Sequence, residues 1–331
     1  MYRIGILNKI INPDVESGII KGQAEVTCFD VLDENNLPDA AKIIDVAIIF
    51  HRLKLTKIGI DKLEQCRLII CASVGFDNVD IDYAKKKNIP VINVPDYGVD
   101  DVADHSIALF LAYVRKVVAF SSALKQNISE NWDPLCAGEY HRITNRNFGI
   151  VGLGRIGTAV ALRAKAFGLN VSYYDPYKPS GYEKVFHIRK CNSLEELFST
   201  NDFVSIHVPL TEETKGMVTT EMLAAIDNNP VIINTARGAV IRNDTIFEAL
   251  ENKYIEAYLT DVLEVEPPLH GGELFCRYLS SGRLLITPHA AAYAAESLHE
   301  MRFRAAESAV VFLERKKLSN CVNFEGIKTW T

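Results

Sequence analysis

The stretch from Asn147 to Gly168, NFGIVGLGRIGTAVALRAKAFG, constrains the fold of this chain more than any other. After Asn147 it opens as a short uncharged run, which predicts a buried strand. Gly152, Gly154 and Gly157 follow with the spacing G-x-G-x-x-G, and the residues beyond them predict a helix ending near Gly168. A strand that turns at once into a helix needs a backbone that no side chain obstructs. Gly152 permits the tight turn, Gly154 lets backbone approach a pyrophosphate, and Gly157 lets helix and strand pack closely. The helix N-terminus then offers unpaired N–H groups and the positive end of its dipole. The next strand, NVSYYD, ends at Asp175, 18 residues past Gly157. A carboxylate there accepts hydrogen bonds from a ribose 2′-hydroxyl and repels a 2′-phosphate. Pro176, Tyr177 and Lys178 follow it, with no arginine, so the expected cofactor is NAD (NADH) rather than NADP.

Strand-like and helix-like segments alternate along most of the chain. RIGILN, VAIIF (46–50), RLIICAS (67–73) and PVINVP (90–95) read as strands, and DIDYAKKKN (80–88) as a helix. After the glycine-rich turn, further strands read as FVSIHVP (203–209), PVIINTA (230–236), EAYLTDV (256–262) and RLLITP (283–288). Such alternation predicts parallel strands joined by crossover helices, in two doubly wound α/β domains with boundaries near residues 100 and 290. The segment from Asp100 to Gln126 carries acidic residues first and basic residues later, with helical apolar spacing, and predicts one long helix. The polar stretch 127–145 is too long for an ordinary connection, which suggests an arm that packs on another subunit.

Composition limits the function classes. At 331 residues, 48% of them hydrophobic, the chain has material for two cores. A formal net charge of −6 opposes a nucleic-acid surface, which needs clustered Lys and Arg, and Lys85-Lys86-Lys87 reads as a solvated helix face. Seven scattered cysteines without a CxxC pair point to reduced thiols in a cytoplasmic setting. No window reaches the roughly 18 apolar residues of a membrane helix. No metal-ligand spacing is present, and no metal is expected.

Arg237, Glu266 and His289 each fall at or just after the end of a strand read from the sequence, where open α/β sheets bind ligands. A guanidinium grips a carboxylate with two parallel hydrogen bonds. An imidazolium can protonate a ketone oxygen while hydride reaches the carbon, and a neighbouring carboxylate orients the ring and favours its charged form. Together these three groups suit reduction of a 2-oxo acid.

Over essentially its whole length the chain resembles the D-isomer-specific 2-hydroxyacid dehydrogenases. The matching segments are VGFDNVDIDYAKKKNIPVINVPDYG, VGLGRIG with Asp175, SIHVPLTEETKGMV, INTARGAVI, TDVLEVEPP and TPHAAAY. The resemblance implies two Rossmann-like domains. An NAD-binding domain (101–290) is inserted into a discontinuous, flavodoxin-like substrate domain (1–100 and 291–331), and the assembly is a homodimer. It implies that Arg237, Glu266 and His289 are catalytic. It places Arg155 and Ile156 on the pyrophosphate, His207, Val208 and Pro209 over the adenosine, and Thr235, Ala236 and Val102 along the cofactor. Asp261 matches a position near the nicotinamide amide. Substrate contacts fall to the backbone of Ser73, Val74 and Gly75, with Arg237 and His289.

Within the family, GFDNVDI, PHAAAY, EMRFRAAE and NCVN are most similar to the C-terminal-binding-protein branch. That branch has an arginine where this chain has Cys71 and a tryptophan where it has Ala292, which suggests a wider pocket with Arg52 taking over the anion contact. The main alternative is an NAD(H)-sensing, corepressor-like protein; the chain stops at Thr331 without the long tail of such proteins. Formate chemistry is disfavoured because formate enzymes carry glutamine at the position of Glu266, phosphite chemistry has no support in the residues, and a phosphoglycerate-type enzyme stays open.

Overall fold

A computed structural model describes residues 1–8, 12–268 and 272–324. The chain divides into two compact units, Met1–Gly98 with Tyr293–Thr331, and Val99–Ala292.

The first unit holds β1 (Tyr2–Ile6), β2 (Ala24–Cys28), β3 (Val46–Ile49), β4 (Leu68–Cys71) and β5 (Val91–Asn93) in the order β2-β1-β3-β4-β5. All neighbours are parallel, and this is a flavodoxin-like order. Side chains alternate between two cores. Val46 and Ile48 face one with Leu68 and Ile70, while Ala47 and Ile49 face the other with Ile69 and Cys71. Both faces are covered, so these strands are continuously apolar. The long helix Ala295–Arg315 closes one face through Met301, Ala305, Ala309 and Phe312. Its Arg302 fixes it to the short helix Asp14–Ile20 by two hydrogen bonds, 2.8 and 2.6 Å, to the buried Glu16 carboxylate.

The second unit holds β6 (Asn147–Val151), β7 (Asn170–Tyr174), β8 (Arg189–Lys190), β9 (Phe203–Ile206), β10 (Val231–Asn234), β11 (Ala257–Thr260) and β12 (Leu284–Ile286). Their order is β12-β11-β10-β9-β6-β7-β8, again all parallel. Counted from β6 this is the doubly wound order 3-2-1-4-5-6 with one further strand. The chain reverses direction between β6 and β9, so a crevice opens at their carboxyl ends. The helix Arg155–Ala166 packs on this sheet with Gly157, Val160, Ala161 and Ala164, one stripe at helical spacing.

The segment expected as one long helix is two: Val99–Val114 and Val117–Gln126, bent by 58°. Lys116 sits between them in the left-handed region, at φ 56°. The first helix buries Ala103, Ile107, Phe110 and Val114 in the core, whereas the second buries nothing. The chain leaves the core at the break, so a pattern that looks continuous in sequence has two different environments. No regular element occupies 127–145, all of it described. No single helix among the described residues is long and apolar enough to cross a membrane.

One close approach sets the spacing at the carboxyl edge of the second sheet. Gly238, just after β10, lies against the loop after β11. A Cβ there would stand 1.9 Å from the Leu263 carbonyl carbon and 2.3 Å from the Glu264 nitrogen. Backbone meets backbone, so no side-chain rotation relieves the clash. Gly238→Ala is expected to destabilise the protein by about 1–3 kcal/mol, the usual cost of overpacking. Thermal unfolding measures it, and an unchanged midpoint would refute the contact.

Candidate active site

The glycine-rich turn leaves β6 with Gly152 at φ 86°. A Cβ on Gly152 would sit 2.7 Å from the His207 carbonyl oxygen, and one on Gly157 only 2.0 Å from the Gly152 oxygen. Gly154 differs: nothing lies within 4 Å of its missing Cβ. The first and third glycines are therefore packing requirements, and the second faces open space. Gly154 also starts the helix Arg155–Ala166 with no side-chain cap. The first-turn N–H groups, including those of Arg155 and Ile156, have no intrahelical acceptor. Arg155 is exposed and Ile156 half-buried beside this opening. An uncapped, uncrowded helix start of this kind fits a dinucleotide pyrophosphate.

Asp175 ends β7, 9% exposed. One carboxylate oxygen accepts the Leu153 N–H at 2.9 Å, so it holds the glycine-rich turn itself. The other accepts the Tyr177 N–H at 2.9 Å. Each oxygen keeps a lone pair for a ribose hydroxyl. After β9, His207 and Val208 lie against Gly152, and Pro209 is exposed. His207 shares a 2.8 Å hydrogen bond with the Ser205 hydroxyl. The packing around its ring pushes its pKa down to about 3, so it is neutral at physiological pH.

After β10, the buried Asn234 amide shapes the turn: its oxygen accepts the Ala236 N–H at 3.0 Å and its nitrogen donates to the Arg237 carbonyl at 3.0 Å. Thr235 hydrogen-bonds Ser106 at 2.7 Å, and Ser106 donates to the carbonyl of the buried Val102. This pair joins the turn after β10 to the helix Val99–Val114. The Arg237 Nη1 donates to the Ala236 carbonyl at 2.8 Å.

Glu266 and His289, expected from the sequence to act as a pair although they follow different strands, meet directly. His289 Nδ1 lies 2.6 Å from Glu266 Oε2, and Oε1 of the same carboxylate accepts the Leu263 N–H at 2.8 Å. Burial alone would raise the Glu266 pKa. The hydrogen bond and charge of His289, the Leu263 N–H and the charge of Arg237 together bring it below the ordinary glutamate value. His289 has φ 55°, uncommon for a residue with a side chain. Its N–H donates to the Asp261 carbonyl at 2.8 Å. The Asp261 carboxylate, 1% exposed, accepts the N–H groups of Ala290 and Ala291 at 2.8 and 2.9 Å and the Thr287 hydroxyl at 2.6 Å.

The remaining expected contacts lie in the first unit. Ser73, Val74 and Gly75 follow β4; the Ser73 hydroxyl donates to the Gly75 carbonyl at 2.6 Å. Arg52 follows β3 and is exposed. Asn78 ties these two loops together by donating to the carbonyls of Phe50 and Leu53. Cys71 packs fully buried in a core, where burial pushes its thiol up to about 12. Sequence reasoning missed Asn234, Ser106 and the role of Thr287. Their only signal was position at a strand end or on one helix face, which no motif marks.

A model of the D-isomer specific 2-hydroxyacid dehydrogenase NAD-binding domain matches residues 107–291, more than half the chain. A D-3-phosphoglycerate dehydrogenase of Methanocaldococcus jannaschii is 32% identical over 309 residues, 93% of this chain and 57% of that protein. This chain therefore spans little more than half the length of that relative. A hydroxypyruvate reductase of Thermotoga maritima is 31% identical over 306 residues, 92% of this chain and 96% of the relative. Among solved structures, an NADPH-dependent glyoxylate/hydroxypyruvate reductase of Sinorhizobium meliloti superposes with a TM-score of 0.87 at 25% identity, covering 100% of this chain and 99% of that one. With the glycine-rich turn, Asp175 and the strand-end cluster in place, these matches show that the chain belongs to the D-isomer specific 2-hydroxyacid dehydrogenase family, whose second unit binds NAD.

Proposed function

We propose that this protein reduces a small 2-oxo acid to the D-2-hydroxy acid, or runs the reverse, with His289 as proton donor, Glu266 as its partner and Arg237 as the carboxylate clamp. The observation that carries the reading is the 2.6 Å contact between His289 Nδ1 and Glu266 Oε2 at the carboxyl edge of the second sheet. With Nδ1 engaged by the carboxylate, the proton passes to the ketone oxygen from Nε2. Arg237 holds and polarises the substrate carboxylate, and its charge adds to the larger effects of His289 and the Leu263 N–H that lower the Glu266 pKa. Bound NADH supplies the hydride. Gly152, Gly154 and Gly157 with the N–H groups of Arg155 and Ile156 hold the pyrophosphate, and Asp175 holds the ribose. His207, Val208, Pro209, Thr235, Ala236, Val102 and Asp261 line the rest of the cofactor. Asp175 supports NAD over NADP, unlike the NADPH-dependent S. meliloti enzyme. In the first unit, Ser73, Val74, Gly75 and Arg52 are the proposed substrate contacts.

Relatives named as reductases and dehydrogenases favour turnover over the sensor alternative. The segments GFDNVDI and PHAAAY support a lineage near the C-terminal-binding-protein branch, a finer reading than the named relatives carry. Seven free cysteines fit a reducing, cytoplasmic compartment. Homodimer assembly is supported by exposed apolar groups on the second helix and the arm: Val117, Ile128, Trp132 (76% exposed) and Leu135 (67%).

NADH absorbance decay with glyoxylate, pyruvate, hydroxypyruvate and 3-phosphohydroxypyruvate tests the reading. Turnover on one class is expected, and tight NADH binding without turnover would favour the sensor. His289→Ala should lower kcat by about 10²–10⁴-fold, the range for a lost general acid; near-normal turnover would remove His289 from the chemistry.

Glu266→Gln keeps the shape but replaces the carboxylate that engages His289 Nδ1 with an amide. Reduction should slow by about 10²-fold, the cost of misplacing a reacting group, and an unchanged kcat would reject the pairing. In the parent protein, the depressed Glu266 pKa means that the carboxylate persists through the ordinary glutamate range. Its contribution is lost only as pH falls through the lowered value.

Sedimentation should show a dimer that Trp132→Asp with Leu135→Asp converts to a monomer; an unchanged sedimentation coefficient would place the interface elsewhere.

A further inference from the structure

His105 lies on the helix Val99–Val114, remote in sequence from the strand-end cluster, with its side chain 24% exposed. Its Nε2 is 2.8 Å from the Thr287 hydroxyl oxygen. That hydroxyl donates its one hydrogen to Asp261 Oδ1 at 2.6 Å. A hydroxyl has a single hydrogen, so Nε2 must be the donor in the first contact. This fixes the order of the chain: His105 Nε2–H to Thr287 oxygen, then Thr287 O–H to Asp261. His105 Nε2 also stands 3.6 Å from Asp261 Oδ1.

The carboxylate so held is the anchor of the catalytic turn. It takes the N–H groups of Ala290 and Ala291, and the carbonyl of the same aspartate takes the His289 N–H. These are the hydrogen bonds that hold His289 at φ 55°, where a side chain is disfavoured unless its surroundings impose it. The turn, in its turn, sets the direction of the imidazole toward Glu266. Asp261 Oδ1 accepts two hydrogen bonds and Oδ2 one. Three donors therefore converge on a carboxylate 1% exposed, and the side-chain donor among them, Thr287, is itself contacted by His105.

We propose that His105 is a positioning residue for His289, acting through the Thr287 hydroxyl and the Asp261 carboxylate. The proposal rests on the reading of His289 as the proton donor. His105 touches neither substrate nor Glu266 in this role. It keeps the Thr287 hydroxyl turned toward Asp261, which keeps the 289–291 backbone in its left-handed turn.

Two variants break the relay with little change in volume: Thr287→Val removes the hydroxyl, and His105→Phe removes the donor. Two conservative variants keep it: Thr287→Ser retains the hydroxyl, and His105→Gln places an amide N–H near the position of Nε2. Misplacement of a reacting group by about 1 Å costs on the order of 10²-fold in rate. The first pair should therefore lower kcat by about 10- to 100-fold with substrate KM nearly unchanged, and the second pair should restore most of it. Equal kcat in all four, or a rise in KM alone, would overturn the proposal. The second measurement needs no turnover. Proton NMR of the NADH-loaded protein should show a low-field Nδ1–H resonance from the His289–Glu266 pair, identified by its loss in Glu266→Gln. It should shift or broaden in Thr287→Val and remain in Thr287→Ser. An unmoved resonance in Thr287→Val would overturn the relay. A moved resonance in a protein that reduces no 2-oxo acid would instead leave the relay standing and defeat the functional reading.

Discussion

Every strand of a parallel sheet ends at the same edge, and the rest of the site depends on that constraint. Gly152, Asp175, His207, Thr235, Asp261 and Thr287 follow six different strands, separated by as much as 135 residues, yet each leaves its strand at the carboxyl edge of the second sheet. The register of the ladder sets their spacing. Asn234 is paired with Thr260, and Thr260 with Ile286, so the turns that carry Arg237, Glu266 and His289 begin level with one another. Each strand contributes a short exit loop, and the chemistry is assembled from loops held by a rigid ladder.

The exit loops are kept in place by backbone groups rather than by bulky side chains. Asp175 receives an N–H from the glycine-rich turn, Asn234 organises the turn that carries Arg237, and Asp261 holds the turn that carries His289. All three side chains are nearly buried at strand ends: Asp175 and Asp261 accept from a neighbouring loop, and Asn234 bonds its own exit turn. Buried polar groups of this kind are costly unless satisfied, and here the partners that satisfy them are the loops that need to be fixed. Gly238 adds a steric version of the same device, since only a residue without Cβ lets the loops after β10 and β11 approach so closely.

Much of this was legible along the chain because it is local. Glycine spacing, the apolar runs and the strand-ending Asp175 lie within a few residues of the features they specify, and the alternation of strands and helices announced two parallel α/β units. What was not legible involved environment. The apolar spacing of 100–126 continues through Lys116, but Phe110 is buried against Phe148 and Phe203 whereas Val117 faces outward. Periodicity alone cannot show which half of a helix has a core beneath it. The edge strand Ala24–Cys28, paired only with β1, escaped for a related reason: its glutamate and threonine interrupt the apolar pattern. Cys71 was weighed as an empty place in a substrate contact, while its side chain belongs to a core.

The sequence by itself determined the kind of protein: a doubly wound chain with a glycine-rich strand-to-helix turn, a carboxylate ending the next strand and three ionisable groups at strand ends. Those follow from residue type and short-range spacing, which the backbone converts directly into turns, strands and helices. Only the tertiary structure decided that Glu266 Oε2 lies 2.6 Å from His289 Nδ1, that His289 is held at positive φ, and that His105 reaches Thr287 and Asp261 across 182 and 156 residues of chain. Such contacts depend on strand register and on the packing of the helix Val99–Val114 against the sheet. Both are set by the whole core at once, so neither is written in the spacing of any one segment.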